Sequence, residues 1–342
     1  MMSTHDLAAT ARALVAQGKG ILAADESTGT IGKRFKSLNL ENTEENRRAY
    51  RELLFTAKGA GQYISGVILY DETIRQKTKD GTPFPKALDE EGTIPGIKVD
   101  TGAKPLAGFP GEQITEGLDG LRDRLAQYRE LGAGFTKWRA VIAIGSGIPT
   151  LYCLHANAHA LARYAALAQE AGLVPIVEPE VLMDGNHSIE RCEEVTEAAL
   201  KRVFAELHAH RVVLEHMLLK PNMILAGKEN PKQAGVEQVA EATVRCLLRS
   251  VPAAVPGIVF LSGGQSPEES TEHLNTMNAL GRHPWQLSFS YGRALQDAAL
   301  KAWRGEPANV GVAQKAYLHR ARCVSAARYG RYNKQMEVSV AA

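Results

Sequence analysis

Two pairs of charged residues stand two positions apart in otherwise apolar segments of this sequence. The first pair is Lys137 and Arg139, and the second is Glu178 and Glu180. Because side chains alternate between the two faces of a β-strand, each pair lies on one face if its segment is a strand. If both faces point into the same interior, cations and carboxylates converge there. Either pair alone would equally suit a solvated strand end.

A further lysine, Lys220, follows the apolar residues Met217–Leu219 and precedes Pro221. Burial near other cations would lower the pKa of this lysine and favour the neutral amine, which can attack a carbonyl carbon. An exposed lysine, in contrast, is almost wholly protonated at neutral pH. Lys220 is therefore a candidate nucleophile. The alternative is a structural lysine at the rim of the fold.

Two glycine-containing loops could hold an anion. They are Ser262-Gly263-Gly264 and Ser290-Tyr291-Gly292-Arg293. Glycine lets backbone N–H groups approach a phosphate without a side chain in the way, and an arginine adds a bidentate contact. One such loop would be weak evidence, since glycine also serves ordinary turns. Two loops after consecutive strands favour a phosphate pocket.

Residues that could bind a metal are few. His155 and His159 have the i, i+4 spacing of a helical zinc pair, but the glutamate of a metalloprotease motif is missing and no third ligand is near in sequence. We interpret them as an exposed helix face and expect neither a metal site nor a cofactor. The four cysteines form no CxxC pair and are expected to be reduced core residues; they are Cys153, Cys192, Cys246 and Cys323.

The elements that must position these residues alternate between short apolar runs and amphipathic helical stretches, which predicts a parallel sheet of βα units. The candidate strands are Gly20–Ala24, Tyr63–Leu69, Ile97–Val99, Thr136–Ile142, Val174–Val177, Met217–Leu219, Gly257–Leu261 and Gln286–Phe289. The helical patterns between and after them include 44–56, 118–131, 156–171, 189–210, 233–250 and 310–327. Eight units predict an α/β fold of the TIM (β/α)8 barrel type.

A doubly wound sheet is the competing fold, but it usually shows a glycine-rich dinucleotide turn after its first strand. Here that strand is followed by Asp25-Glu26-Ser27. We expect one domain, with the barrel over 1–305 and a C-terminal helix with a short tail over 306–342. The proline- and glycine-containing stretch 76–96 is interpreted as a long βα loop.

In a TIM barrel the catalytic groups sit where strands end and βα loops begin. The candidate strands deliver Asp25 (first), Lys98 (third), Lys137 and Arg139 (fourth), Glu178 and Glu180 (fifth), Lys220 (sixth), Ser262, Gly263 and Gly264 (seventh), and Ser290, Gly292 and Arg293 (eighth). The sequence therefore predicts one polar site at this end of the barrel.

Composition excludes several other classes of protein. The formal net charge is +2, and the cations are dispersed along the chain, so no nucleic-acid partner is expected. No stretch approaches the roughly 20 apolar residues of a membrane span, so no membrane partner is expected either. The first ten residues lack the features of a secretory signal, which predicts a cytoplasmic location.

From about Gly18 to Lys301 the chain resembles the class I fructose-bisphosphate aldolases. The segments that carry the resemblance are 18–29, Gly96-Ile97-Lys98-Val99-Asp100, Lys137-Trp138-Arg139, 175–180, 218–223, 261–266 and 290–295, all in family order. The resemblance implies reversible cleavage of fructose 1,6-bisphosphate to dihydroxyacetone phosphate and glyceraldehyde 3-phosphate in glycolysis and gluconeogenesis. It also implies sugar phosphates as the partners, no metal, and a homotetramer.

By the same resemblance, Lys220 is the Schiff-base lysine, Glu178 the acid/base and Asp25 the base at the C4 hydroxyl, with Lys137 and Glu180 tuning the site. Ser262, Gly263, Gly264, Ser290, Gly292 and Arg293 would hold the phosphate on C1, while Lys98, Arg139 and Arg34 would face the C6 end. The chain departs from the family pattern at Thr30, Ala143 and His216, and it ends in Ala341-Ala342 where animal members end in tyrosine.

Two other functions remain open from the sequence. A metal-dependent aldolase would use a divalent ion to polarise the carbonyl, in place of the imine. A noncatalytic sugar-phosphate binder would keep the barrel without turnover, although every candidate catalytic group is present.

Overall fold

The predicted apolar runs form eight parallel strands that close into a barrel in the computed structural model, which describes residues 6–338. The strands are β1 Gly20–Ala23, β2 Ile64–Leu69, β3 Ile94–Lys98, β4 Phe135–Ile142, β5 Val174–Val181, β6 Leu218–Leu219, β7 Gly257–Phe260 and β8 Gln286–Tyr291. Each strand pairs with its neighbours in chain order, and β1 closes on β8 where Ile21 is opposite Ser290. The TIM barrel prediction is confirmed, and the doubly wound alternative is wrong because the sheet closes.

Helices cover the outside of the barrel. They are α1 Leu7–Leu14, α2 Thr28–Lys36, α3 Glu44–Phe55, α4 Asp71–Arg75, α5 Phe84–Glu90, α6 Leu121–Glu130, α7 Leu151–Glu170, α8 Ile189–Ala209, α9 Val236–Ser250, α10 Pro267–Ala279, α11 Arg293–Trp303, α12 Val310–Ala327 and α13 Gln335–Val338. Side-chain caps start many of them; Ser27, for example, accepts from the Thr30 N–H at the start of α2. No helix within residues 6–338 is long and apolar enough to cross a membrane.

The alternation of side chains along each strand sets which residues point inward. In β4, Trp138 points outward and stacks on Tyr164 of α7, with ring centroids 5.6 Å apart. Phe135, in contrast, lies inside the barrel with Ile21, Ile176 and other aliphatic side chains. The inward series of β4 therefore runs from Phe135 at the amino end to the cations Lys137 and Arg139 above it.

Glycines let Phe135 fill the lower half of the barrel. A Cβ added at Gly96 would lie 2.3 Å from the Phe135 ring, and one at Gly66 would lie 2.9 Å from it. Real Cβ contacts are essentially never that close, so both β2 and β3 need glycine there. Apolar side chains thus fill most of the barrel interior below the site, and the charged residues predicted for the site lie above them at the carboxyl end.

Several boundaries differ from the predictions. Strand β5 continues to Val181, so Glu178 and Glu180 lie within the strand and not after it. Strand β3 begins three residues earlier than predicted, at Ile94. Both errors arise at strand ends, where residues facing the polar site or the barrel rim break the apolar run that identifies a strand.

Two segments hold more regular structure than expected. The stretch 76–96 contains helix α5, whose Phe84 packs edge-on against Phe55 at 5.2 Å between ring centroids, so it is not simply a loop. After β3, an antiparallel hairpin of Gly102–Pro105 and Gln113–Glu116 was not predicted. Its Thr115 hydroxyl donates to the carbonyl of Arg139, which ties the hairpin to β4.

The predicted C-terminal helix is present as α12. Its Arg320 donates to the Pro267 carbonyl at 3.0 Å and the Thr271 hydroxyl at 2.8 Å, and its buried Tyr317 belongs to the same apolar cluster as the outer faces of the strands. The ends of the chain, including Ala341 and Ala342, lie outside the described residues.

Candidate active site

Four charged side chains of alternating sign form a row across the carboxyl end of the barrel. Lys220 Nζ lies 3.2 Å from Glu178 Oε1, and Glu178 Oε2 lies 3.2 Å from Lys137 Nζ. Lys137 Nζ in turn lies 2.7 Å from Asp25 Oδ2. The ends of β1, β4, β5 and β6 deliver these side chains, and all four are largely buried. We call them the charged row.

Nearby cations keep the two carboxyl groups of the charged row ionised. Burial alone would raise the pKa of Asp25, but Lys137, Lys220 and Lys98 together hold it well below the usual range. Burial likewise opposes ionisation of Glu178, and Lys137, Lys220 and Arg139 hold its pKa below the ordinary value. Both groups are therefore carboxylates at neutral pH.

Lys137 is the shared cation of the row. Burial would lower its pKa, but Asp25, Glu178 and Asp100 outweigh burial and raise it. Lys137 therefore stays charged and cannot serve as a neutral amine. Of the two lysines in the row, Lys220 is the one that contacts a single carboxylate, Glu178.

A second layer of ion pairs flanks the row. Arg139 Nε donates to Glu180 Oε2, and Lys98 Nζ lies 2.6 Å from Asp100 Oδ1. The other Asp100 oxygen accepts from the Arg139 backbone N–H at 3.2 Å. Asp100 was not among the predicted site residues, although its position two residues after Lys98 indicates the same side of the chain.

Glu26 was also missed, and it holds two arginines beside the site. Its two oxygens lie 2.6 Å from Arg34 and 2.7 Å from Arg51, and Gln296 donates to it at 2.9 Å. Burial opposes ionisation of Glu26, but Arg51 and Arg34 lower its pKa overall. Arg51 comes from α3, so only the tertiary structure reveals this contact.

The glycine loops of β7 and β8 meet at one side of the cavity. The Ser290 hydroxyl is buried and has no hydrogen-bond partner among the described residues, so it is available to a ligand. Gly292 is the N-cap of α11, which directs the positive end of that helix at this pocket. Arg293 is exposed and forms no salt bridge within the described part of the chain. These features suit a phosphate.

A cavity of about 440 Å³ connects the charged row with this pocket. It is lined by every predicted site residue except Gly264, namely Asp25, Arg34, Lys98, Lys137, Arg139, Glu178, Glu180, Lys220, Ser262, Gly263, Ser290, Gly292 and Arg293. Gly264 lies in the left-handed region at φ +80°, where it turns the loop behind the pocket. Arg34 Nη2 would lie 3.8 Å from a Cβ at Gly292, so this guanidinium borders the loop of β8 as well as Glu26.

A TIM barrel with a buried lysine against a carboxylate, and with candidate anion pockets beside it, suits covalent chemistry on a phosphorylated carbonyl compound. The sequence profile described as "Glycolytic: Fructose-bisphosphate aldolase class-I" matches residues 6–342. The chain therefore belongs to the class I fructose-bisphosphate aldolase family, as the resemblance in the sequence indicated. Its reaction is the reversible cleavage of fructose 1,6-bisphosphate through a lysine Schiff base.

Individual relatives agree with this assignment. The chain is 61% identical over 332 residues to a probable fructose-bisphosphate aldolase class 1 of Xanthomonas campestris, covering 97% of this chain and 99% of that one. It is 56% identical to cytosolic fructose-bisphosphate aldolase 4 of Arabidopsis thaliana, covering 97% and 85% of the two chains. A Plasmodium falciparum fructose-bisphosphate aldolase, solved with TRAP and a small-molecule inhibitor, superposes with a TM-score of 0.95 at 52% identity over 96% of each chain.

Proposed function

We propose that Lys220 is the nucleophile of this aldolase and that Glu178 is its proton-transfer partner. The observation that carries the proposal is the 3.2 Å contact between Lys220 Nζ and Glu178 Oε1 at the floor of the cavity. A proton moved from Lys220 to Glu178 leaves a neutral amine, which attacks C2 of the ketose. A second proton passes from the attacking nitrogen to the C2 oxygen to give the carbinolamine. The proton held by Glu178 then joins that oxygen, so that water leaves and the protonated imine remains.

In the cleavage step, Asp25 is proposed to take the proton of the C4 hydroxyl. As the C3–C4 bond breaks, its electron pair moves into the imine to give the enamine, and glyceraldehyde 3-phosphate leaves. The nearby lysines lower the pKa of Asp25 and so make it a weak base, which favours proton transfer in step with C–C cleavage. Protonation of the enamine at C3 and hydrolysis of the imine release dihydroxyacetone phosphate.

The two phosphates are proposed to bind on opposite sides of the charged row. Ser262, Gly263, Ser290, Gly292 and Arg293 face the C1 phosphate, with Gly264 shaping their loop. Lys98 and Arg139 face the C6 phosphate, close to Asp100 and Glu180. Because Arg34 borders Gly292, its charge also reaches the C1 side of the cavity. Lys137 and Glu180 are proposed to hold the reacting groups in place.

This arrangement predicts a selective effect of Lys98→Met. Loss of one charge-assisted contact of roughly 1.5–3 kcal/mol should raise KM for fructose 1,6-bisphosphate about 10- to 100-fold. KM for fructose 1-phosphate should change little, because that substrate lacks the C6 phosphate. Lys104→Met, in the exposed strand of the neighbouring hairpin, is the control and should leave both constants unchanged. Equal losses for both substrates would show that Lys98 does not bind the C6 end.

Borohydride reduction tests the proposed nucleophile. The protein is incubated with dihydroxyacetone phosphate and a strong chelator, reduced, digested and mapped by mass spectrometry. We expect a reduced adduct on Lys220. An adduct on another lysine would overturn the assignment. If no adduct forms but the protein cleaves its substrate, the result would point to metal chemistry. If neither an adduct nor cleavage is found, it would point to a noncatalytic binder.

We also propose that 1–305 and 306–342 make up a single domain, supported by Tyr317 and other α12 side chains in the main apolar cluster. A homotetramer in the cytoplasm is proposed from the family resemblance and from relatives described as cytosolic. Leu151 and Tyr152 at the start of α7 are large exposed apolar side chains, and they offer a contact surface for such an assembly.

A further inference from the structure

Three histidines surround one carboxylate on the outer wall of the barrel. His155 and His159 of α7 lie next to Glu206 near the end of α8, and His210 follows one turn after Glu206. We call these four residues the histidine cluster. Each helix supplies an i, i+4 pair, and because α7 and α8 pack side by side, the pairs face each other across the helix contact.

The distances within the cluster are those of a metal site. Glu206 Oε2 lies 3.2 Å from His159 Nδ1 and 3.7 Å from His210 Nδ1, and Glu206 Oε1 lies 3.6 Å from His155 Nδ1. Ligand atoms about 2.0–2.2 Å from a tetrahedral zinc ion are separated from each other by roughly 3.3–3.6 Å. One ligand atom from each of His159, Glu206 and His210 lies within 4.8 Å of the others, so rotation of these side chains would bring the carboxylate and one ring nitrogen of each histidine around one ion.

A backbone contact already orients one of the ligands. His210 Nδ1 lies 2.8 Å from the backbone carbonyl of Glu206, to which it donates when it carries the proton. The proton on Nδ1 leaves the lone pair of Nε2 free for a metal, the arrangement in which zinc-binding histidines are usually held. The His159 and His210 rings approach at 4.8 Å between centroids with an interplanar angle of 70°, so they meet edge to face and do not stack.

Ordinary ion pairing does not require such a cluster. One protonated histidine would satisfy a surface carboxylate, and three protonated rings around it would repel one another. Neutral imidazoles and a carboxylate are instead the donor set that zinc and similar borderline divalent ions prefer. The sequence predicted no metal here because it showed no third ligand, and Glu206 comes from 47 residues further along the chain than His159.

We propose that His159, Glu206 and His210 bind one zinc-class divalent ion per chain, with His155 close to the other oxygen of Glu206. None of these residues lines the active-site cavity. The ion would join α7 to α8 and stabilise the barrel wall, and it would take no part in the aldol reaction. This inference does not depend on the proposed roles of Lys220 and Glu178.

Zinc titration of the chelator-treated full-length protein tests the proposal. In competition with a chromogenic zinc indicator, the wild type should bind one zinc per chain, and zinc should raise its unfolding temperature. His159→Gln and His210→Gln should each weaken binding at least about tenfold and remove most of the thermal shift. His208→Gln is the matched control, since His208 is exposed on the same helix and outside the cluster.

Two results would overturn the site. One is a wild type that takes up no stoichiometric zinc at micromolar concentration. The other is zinc binding in His159→Gln and His210→Gln equal to that of the wild type and His208→Gln. Aldolase activity should be the same with and without the chelator in all four proteins. Loss of activity on chelation would count against a purely structural role of the ion. The Lys220 mechanism is tested separately, by the borohydride adduct.

Discussion

Replacing Lys220 by methionine should lower kcat by about 10⁵-fold or more, because methionine has no amine and Lys220 is the residue proposed to form the imine. Methionine has a similar length and fills the space beside Glu178 without an amine. The variant should remain folded, since Glu178 keeps its contact with Lys137 at 3.2 Å. Measurements of kcat, of circular dichroism and of borohydride-trapped adduct on the same preparation check all parts of this prediction.

Lys201→Met provides the control for that experiment. Lys201 is an exposed lysine of α8 that pairs with Glu197 on the surface, so its loss should leave kcat unchanged. If Lys220→Met kept more than about a hundredth of the wild-type rate, the imine mechanism at this position would be wrong, since loss of a nucleophile costs far more.

Replacing Lys137 by methionine should harm both catalysis and stability. Asp25 and Glu178 would lose their shared cation while remaining buried, and breaking a buried ion pair in this way typically costs about 3–5 kcal/mol. We expect kcat to fall about 10³-fold, because Asp25 would lose both its position and its ionised state. Urea unfolding at pH 7 measures the stability loss, again against Lys201→Met.

The pH dependence separates this explanation from a general packing defect. In the wild type, the pKa values of Asp25 and Glu178 are lowered on folding, so their contribution to stability is present above about pH 4 and is lost as the pH falls through the folded values. Without Lys137, burial should raise the pKa of Asp25, while Glu178 keeps its contact with Lys220 at 3.2 Å. The folded variant then binds a proton that the unfolded chain does not.

The free energy of unfolding of the variant should therefore rise as the pH falls from 7 towards 4. In the wild type, the charged row should not change the free energy of unfolding over that range. The difference between the two proteins should narrow accordingly. A difference in unfolding free energy that stays constant from pH 7 to pH 4 would mean that Lys137 acts through packing and not through its charge.

The sequence predicted much of the fold because each barrel strand is an apolar run that needs two covered faces. It ended the fifth strand too early, at Val177, because the inward-facing carboxylates Glu178 and Glu180 interrupt the apolar run. It nevertheless extended the fourth strand correctly through Lys137 and Arg139. The hairpin of Gly102–Pro105 and Gln113–Glu116 was not predicted, because it also lacks a clear apolar pattern. Its residues are largely exposed or half-buried and show little apolar alternation.

For the site, the sequence could identify groups delivered by consecutive strands, because barrel geometry brings strand ends together. It could not identify partners that meet only through packing. Arg51 reaches Glu26 from α3, and Glu206 and His210 reach His159 from the next helix. Asp100 could have been predicted from the sequence, because it is two positions from Lys98, the same spacing as between Lys137 and Arg139.

The charged row has a consequence for how the enzyme responds to salt. Its two cations and two carboxylates sum to zero, and the sum stays zero when a proton passes from Lys220 to Glu178 or when the amine becomes an iminium. No counter-ion has to enter the barrel at any of these stages. Added salt should therefore act at the exposed mouth, where Arg293 is proposed to bind a phosphate, and raise KM while leaving kcat nearly constant.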